Sequence, residues 1–233
     1  ITLKGGLDDF KSSSNVSNTS TGKLTRDKQT TIDGNFNSAG EVKFLSGLLQ
    51  SNGNSKIINS GLFEALTSEF ISRGIFSNNS GGSVTVYKLT QNSGGSVITN
   101  NCKYLVLTDA DVDQVINNNS YFKVTNNLKL NGSGRINLAN AAYFETNTIN
   151  TMDGFIEGVS GTTSLFRLRS TMNQDRINEA AGQNPGEDKA KFRGALQLCA
   201  TNYQTLPAGL FRNGAARGCD VYIAETPCMP TTN

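Results

Sequence analysis

The hexamer Asn-Ser-Gly-Gly-Ser-Val occurs twice, at residues 79–84 and 92–97. Each copy places a Gly-Gly pair, able to take the positive φ of a tight turn, just before a β-branched run. The runs are SVTVYKLT after the first copy and SVITNNCKYLVLT after the second. A chain punctuated in this way is confined to short strands joined by tight corners. Two architectures fit. In an antiparallel meander the 13-residue step between copies is one strand plus one turn. In a parallel β-helix or solenoid the coils also end in Asn and Gly, but each takes about 20 or more residues. The short step predicts the meander, with strands across 83–107 turned at Ser93-Gly94-Gly95 and paired side by side. The parallel β-helix is the alternative.

Composition supports a β-rich chain. Ser, Thr, Asn and Gly number 22, 23, 28 and 24 of 233 residues, whereas apolar residues make up 36% and charged residues 17%. These are the residues of turns and polar strand faces, a mixture common in extracellular fibres, adhesins and virion proteins. Net charge is +2 and no basic run appears, so nucleic-acid binding is not indicated. No stretch reaches the roughly 18 apolar residues that a spanning helix needs. The sequence contains no His and no Trp. That removes the commonest general base and metal ligand, and a favoured platform for sugar stacking.

A few short helices are expected within this β-rich α+β fold. Val42, Leu45, Leu48 and Leu49 recur with helical spacing in 40–50, and Leu62, Leu66 and Phe70, with Phe63, in 61–73. Thr108 or Asp109 is placed to cap a third, with Val112, Val115 and Ile116 inward. YFKVTNNLKL and RINL read as strands about the Asn131–Gly134 turn. From about residue 171 the chain is richer in charge and Ala, predicting two short helices around Asn184-Pro185-Gly186 and a strand at DVYIA, 220–224. The organisation expected is a polar N-terminal arm or linker (1–31), a β-rich core domain (32–170), and a C-terminal segment (171–233) packed on the same domain.

Motifs for chemistry are weak. Asp109, Asp111 and Asp113 resemble the opening of a calcium loop, but Gln114 and Ser120 stand where Gly and Glu are required, so helix capping is the expected role. Ser20-x-x-Lys23 lies in a low-complexity stretch without partner motifs. Glu145, Asp153 and Glu157 are the carboxylates whose strand-like context would suit a glycan hydrolase. Sequons at Asn15, Asn18, Asn78, Asn118 and Asn131 are about as many as chance supplies. No catalytic residue, cofactor site or metal site is assigned.

Four cysteines, Cys102, Cys199, Cys219 and Cys228, suit two disulfides in an oxidising compartment. A Cys219–Cys228 bridge would close a small loop and leave Cys102 to join Cys199; the other pairings stay open. Ile1, Leu3, Leu7 and Phe10 cluster in an arm too polar to build its own core. Such an arm can add an edge strand to a neighbouring subunit. The order of helix, meander (SEFISRG…SVTVYKL) and Cys-bounded C-terminal loop resembles bacterial pilin globular domains, although their hydrophobic assembly helix is not in this sequence. Together these features predict a non-enzymatic structural subunit of an extracellular assembly, self-assembling or adhesive. Its partners would be copies of itself or other subunits, or a surface glycan. A virion capsid or spike protein and a carboxylate-dependent glycan hydrolase are the alternatives.

Overall fold

The computed structural model describes residues 2–3, 10, 14–50, 52–92, 94–181, 190–221 and 228. The chain winds as a parallel β-solenoid of about ten coils, mainly strand with one α-helix among the described residues. Among the described residues every strand pairing is parallel. A larger, 14-stranded sheet and a smaller, 10-stranded one form the two sides. Strands alternate buried and half-exposed residues, so one side of each faces the interior.

The antiparallel meander is corrected by this topology. Strand Ser83–Gln91 lies in the larger sheet and Val97–Asn100 in the smaller, and the two do not pair. Ser83–Gln91 instead lies between Leu62–Ser72 and the strands Lys103–Val106 and Ala110–Val112. The Gly-Gly corners carry the chain from one sheet to the other instead of reversing it. The 13-residue step therefore measures the distance between opposite corners of a coil. The two hexamers also turn differently. In the first copy Gly81 takes φ +83°, and a Cβ on Gly82 would stand 2.2 Å from Asn78 Oδ1. In the second Gly95 takes φ +85° and Gly94 faces open space.

Polar ladders bind the corners in the N-terminal half. Asn59, Asn78, Asn100 and Asn118 are fully buried at the ends of successive strands, 19, 22 and 18 residues apart. Each of the first three donates its Nδ2 to the next Oδ1, at 2.9, 2.8 and 2.8 Å. The same nitrogens reach corner carbonyls such as Gly82 O, Lys103 O and Tyr121 O. Buried amides need this saturation, because no solvent replaces a missing partner. At the opposite corner Gln50 and Gln91 donate to Ile75 O and Val115 O, and Ser72 donates to Gln50 Oε1.

Between the ladders runs an apolar column. On the smaller sheet Phe36, Ile57, Phe76, Ile98, Ile116, Ile136, Ile156 and Phe192 stand in register and fully buried. On the larger sheet Tyr104, Phe122, Phe144 and Phe166 stack nearly parallel, with centroids 4.5, 4.9 and 5.2 Å apart.

Three expected helices are strands. In 40–50, Phe44 is fully buried and Leu45 is 47% exposed, the reverse of the helical reading. Strands Glu41–Phe44 and Leu48–Gln50 flank a bend at 45–46, and Val42, Phe44, Leu48 and Gln50 face inward in one unbroken phase. In Leu62–Ser72 a register shift moves the inward phase by one residue, burying Phe63, Ala65 and Phe70 and leaving Leu66 out. Residues 108–116 form Ala110–Val112 and the start of Val115–Asn118. After residue 171 one helix, Gln174–Ala181, is described; Asn173 Oδ1 accepts the Arg176 N–H, and Ile177 and Ala180 face inward. All of 184–186 and most of the DVYIA strand lie outside the described residues. Within 1–31, strands Asn15–Asn18 and Lys23–Arg26 run in register with the following coils. Among the described residues no helix is long and apolar enough to cross a membrane.

Candidate functional site

A chain whose interior is filled by its own side chains must act through its outer faces. On the larger sheet, alternation around the inward Phe122 and Phe144 turns Tyr121, Lys123, Tyr143 and Glu145 outward. Tyr121 and Tyr143 stack in register, with centroids 5.5 Å apart and planes 1° from parallel. Tyr121 is only 8% exposed, and partial burial pushes its phenol up to about 12.

Glu145, 4% exposed, anchors this face. It accepts hydrogen bonds from Tyr143 Oη and, at 2.8 Å, from Arg169 Nη2, and pairs with Lys123 Nζ at 3.0 Å. Burial alone would raise its carboxyl, but these three donors more than offset that and hold it below its ordinary value. Burial, joined by the bond to Glu145, pushes the Tyr143 phenol up. Toward the N-terminus the same face carries Lys23, Glu41, Lys43 and Glu64 in contacts of 3.0–3.2 Å, and Glu69 with Lys88 at 2.8 Å. Such exposed pairs fix register more than they stabilise.

Both disulfides secure the C-terminal end. The pairs are Cys102–Cys228 and Cys199–Cys219, each with Cα atoms 4.6 Å apart. The small-loop pairing Cys219–Cys228 is thus corrected. Cys199, at the end of an in-register strand, receives Cys219 as the chain returns alongside it, and Val221 N donates to Gln197 Oε1 on that strand at 3.1 Å. Cys228 is held at the corner after Asn100, near Asn101 and Cys102.

The smaller sheet presents a different surface. Ile75, Val97 and Val115 form one outward column, and Ser77, Thr99 and Asn117 the next. Lys56 and Arg135 bound the first column. Farther on, Arg135 and Arg193 lie over the Phe155 ring at 4.5 and 4.0 Å.

The residues read from the sequence are mostly dispersed. Ile1 and Leu7 lie outside the described residues, and Leu3 pairs with Arg26 in backbone register. Phe10 bridges to Ile32, its ring 5.6 Å from Phe36. Asp109 accepts from Asn126 Nδ2, while Asp111 and Asp113 accept from Asn131 Nδ2, so none of the three caps a helix. Glu145, Asp153 and Glu157 are not gathered: Asp153 pairs with Arg176, and Glu157 lies on the other sheet from Glu145. Sequons at Asn78 and Asn118 are fully buried in the asparagine ladder, closed to glycan attachment in the folded chain. Tyr121, Tyr143, Lys123 and Arg169 escaped the sequence reading. The Tyr-Phe pairs at 121–122 and 143–144 carried the missing signal, a coil-length repeat of outward and inward rings. Family models, curated proteins and solved structures yield no match to this chain.

Proposed function

We propose that the chain is a non-enzymatic structural subunit of an extracellular assembly, a stiff rod serving as a building or adhesive unit. The observation that carries this reading is the continuous, self-filled column from Phe36 to Phe192, which leaves recognition to the outer faces. The two disulfides support an oxidising location. Solenoids of this kind bury each coil only against its neighbours, so length brings rigidity without a large globular core. Glu145, the most buried of the carboxylates considered for glycan hydrolysis, is held ionised by two cations and so is poorly suited to donate a proton.

Negative-stain microscopy of the native material tests the proposal. Filaments or decorated surfaces are expected, and virion-like particles would place the same subunit in a different assembly. Dispersed single chains, or sugar release from a glycan panel, would overturn it.

A further inference from the structure

We propose that the outer face of the smaller sheet binds a neutral polysaccharide chain laid along the solenoid axis. The inference does not depend on whether copies of the chain assemble.

The two outer faces differ in kind. The larger sheet carries the ion pairs described above, and its strands are interrupted by register shifts. Across strands Ile75–Asn78, Val97–Asn100 and Val115–Asn118 the smaller sheet keeps unbroken register and turns out no charged side chain. Its two columns are aliphatic (Ile75, Val97, Val115) and hydroxyl or amide (Ser77, Thr99, Asn117). All six are at least partly exposed, Ile75 at 39%. Lys56 and Arg135 close the aliphatic column at either end.

The strip therefore offers one aliphatic group and one hydrogen-bonding group per coil, repeating about every 4.8 Å along the axis. A pyranose has the matching halves, an apolar C–H face and a rim of hydroxyls, and an extended chain of them repeats both. A weak contact at each coil then adds along one polymer. Over the three strands themselves a charged chain finds no counter-charge, and of the cations at the ends Arg135 already lies over the Phe155 ring. A protein partner fits less well: the strip has no aromatic or Arg anchor, and three coils offer far less than the roughly 1,200 Å² that a stable protein interface buries.

The test is affinity electrophoresis of the full chain in gels containing hydroxyethyl cellulose, dextran or alginate, with circular dichroism of each variant. Retardation by at least one neutral polymer is expected. Thr99→Lys should weaken it at least tenfold, Asn117→Lys likewise, and Thr85→Lys on the other face should leave it unchanged. Ser77→Lys, at a strand's exposed side, serves if either of the first two fails to fold. The proposal is overturned if neither neutral polymer retards the chain, if alginate alone does, or if folded strip variants bind as the parent does. Loss of binding with filaments intact would leave the structural reading standing, and the reverse would leave the glycan face standing.

Discussion

Asn100 lies at the middle of the asparagine ladder, and Asn100→Ala measures what the ladder contributes. Its Nδ2 donates to Tyr121 O at 2.8 Å, Asn118 Oδ1 at 2.8 Å and Cys102 O at 3.2 Å, while its Oδ1 accepts from Asn78 at 2.8 Å. Two hydrogens serve three acceptors, so the side chain makes about three full bonds, each worth about 1 kcal/mol net. Alanine also strands acceptors where water cannot reach, adding about 1–2 kcal/mol. Asn78 softens the loss, because Gly82 O and Lys103 O remain for its own hydrogens. The expected cost is about 3–5 kcal/mol, or a Tm lower by roughly 10 °C in a chain of this size. Asn137 is the control. It donates to Asn117 at 2.8 Å on the half-exposed outer face, and Asn137→Ala should stay within about 0.5 kcal/mol. Guanidinium unfolding followed by circular dichroism, approached from both the folded and unfolded sides, makes the comparison. An Asn100→Ala cost no larger than that of Asn137→Ala would refute the argument that buried amide ladders hold the coils.

Three further outcomes follow from the same structure. Tyr104 is fully buried and its hydroxyl has no hydrogen-bond partner among the described residues, so Tyr104→Phe should stabilise by about 1–2 kcal/mol; a destabilised variant would mean the hydroxyl is satisfied. Glu145 is held below its ordinary 4.5, so the stability it contributes is complete above that value and drains away as pH falls through the lower folded one; Glu145→Gln should flatten this part of the acid-unfolding curve, and an unaltered curve would count against the network. Cys102–Cys228 spans 126 residues and Cys199–Cys219 spans 20, so replacing the first pair by serines should cost about 1.5 kcal/mol more than replacing the second, as read by denaturant midpoints; the opposite order would show that loop entropy is not what chiefly sets the stabilisation.

The β-rich character, the tight Gly corners and the oxidised cysteines were legible in the sequence, because they depend on local propensity and an even Cys count. Strand direction was not. A Gly-Gly corner that reverses a hairpin and one that turns a coil differ by what lies above and below, which no short window contains. The asparagines that would have decided it, at 59, 78, 100 and 118, recur at 18 to 22 residues, and this irregular step hides them among the 28 asparagines of the chain. The helical patterns failed for a related reason. In Leu62–Ser72 a register shift moves the inward phase by one residue, and the shifted alternation imitates a period of 3.6, whereas in 40–50 and 108–116 the apparent helix straddles the gap between two short strands. Cysteine pairing was hidden because Cys102 and Cys228 meet only after the coils have stacked. The smaller sheet's outer strip shared that fate, since Ser77, Thr99 and Asn117 become one column only through parallel register.

The interior changes character along the axis, and the change accounts for where the covalent links fall. After Asn118 the ladder position passes to Leu138, Gly158 and Gly194; after Gln91 the opposite corner passes to Val112, Leu130 and Met152. Gly194 takes φ +70°, and a Cβ there would stand 2.1 Å from Gly158 O, so side-chain bridging gives way to close backbone approach. Amide ladders fix register by directional bonds, whereas aliphatic and glycine corners leave register to packing alone. Ring stacking from Tyr104 to Phe166 supplies part of the difference through offset geometry. The final described strands are short, two residues each at Phe211–Arg212 and Ala216–Arg217, and bury little to hold themselves. A terminal coil in a solenoid has a neighbour on one side only and needs another restraint. The disulfides are placed where that need is greatest. Cys199–Cys219 fastens the last coils to each other, and Cys102–Cys228 returns the chain to a corner that the asparagine ladder already holds rigid.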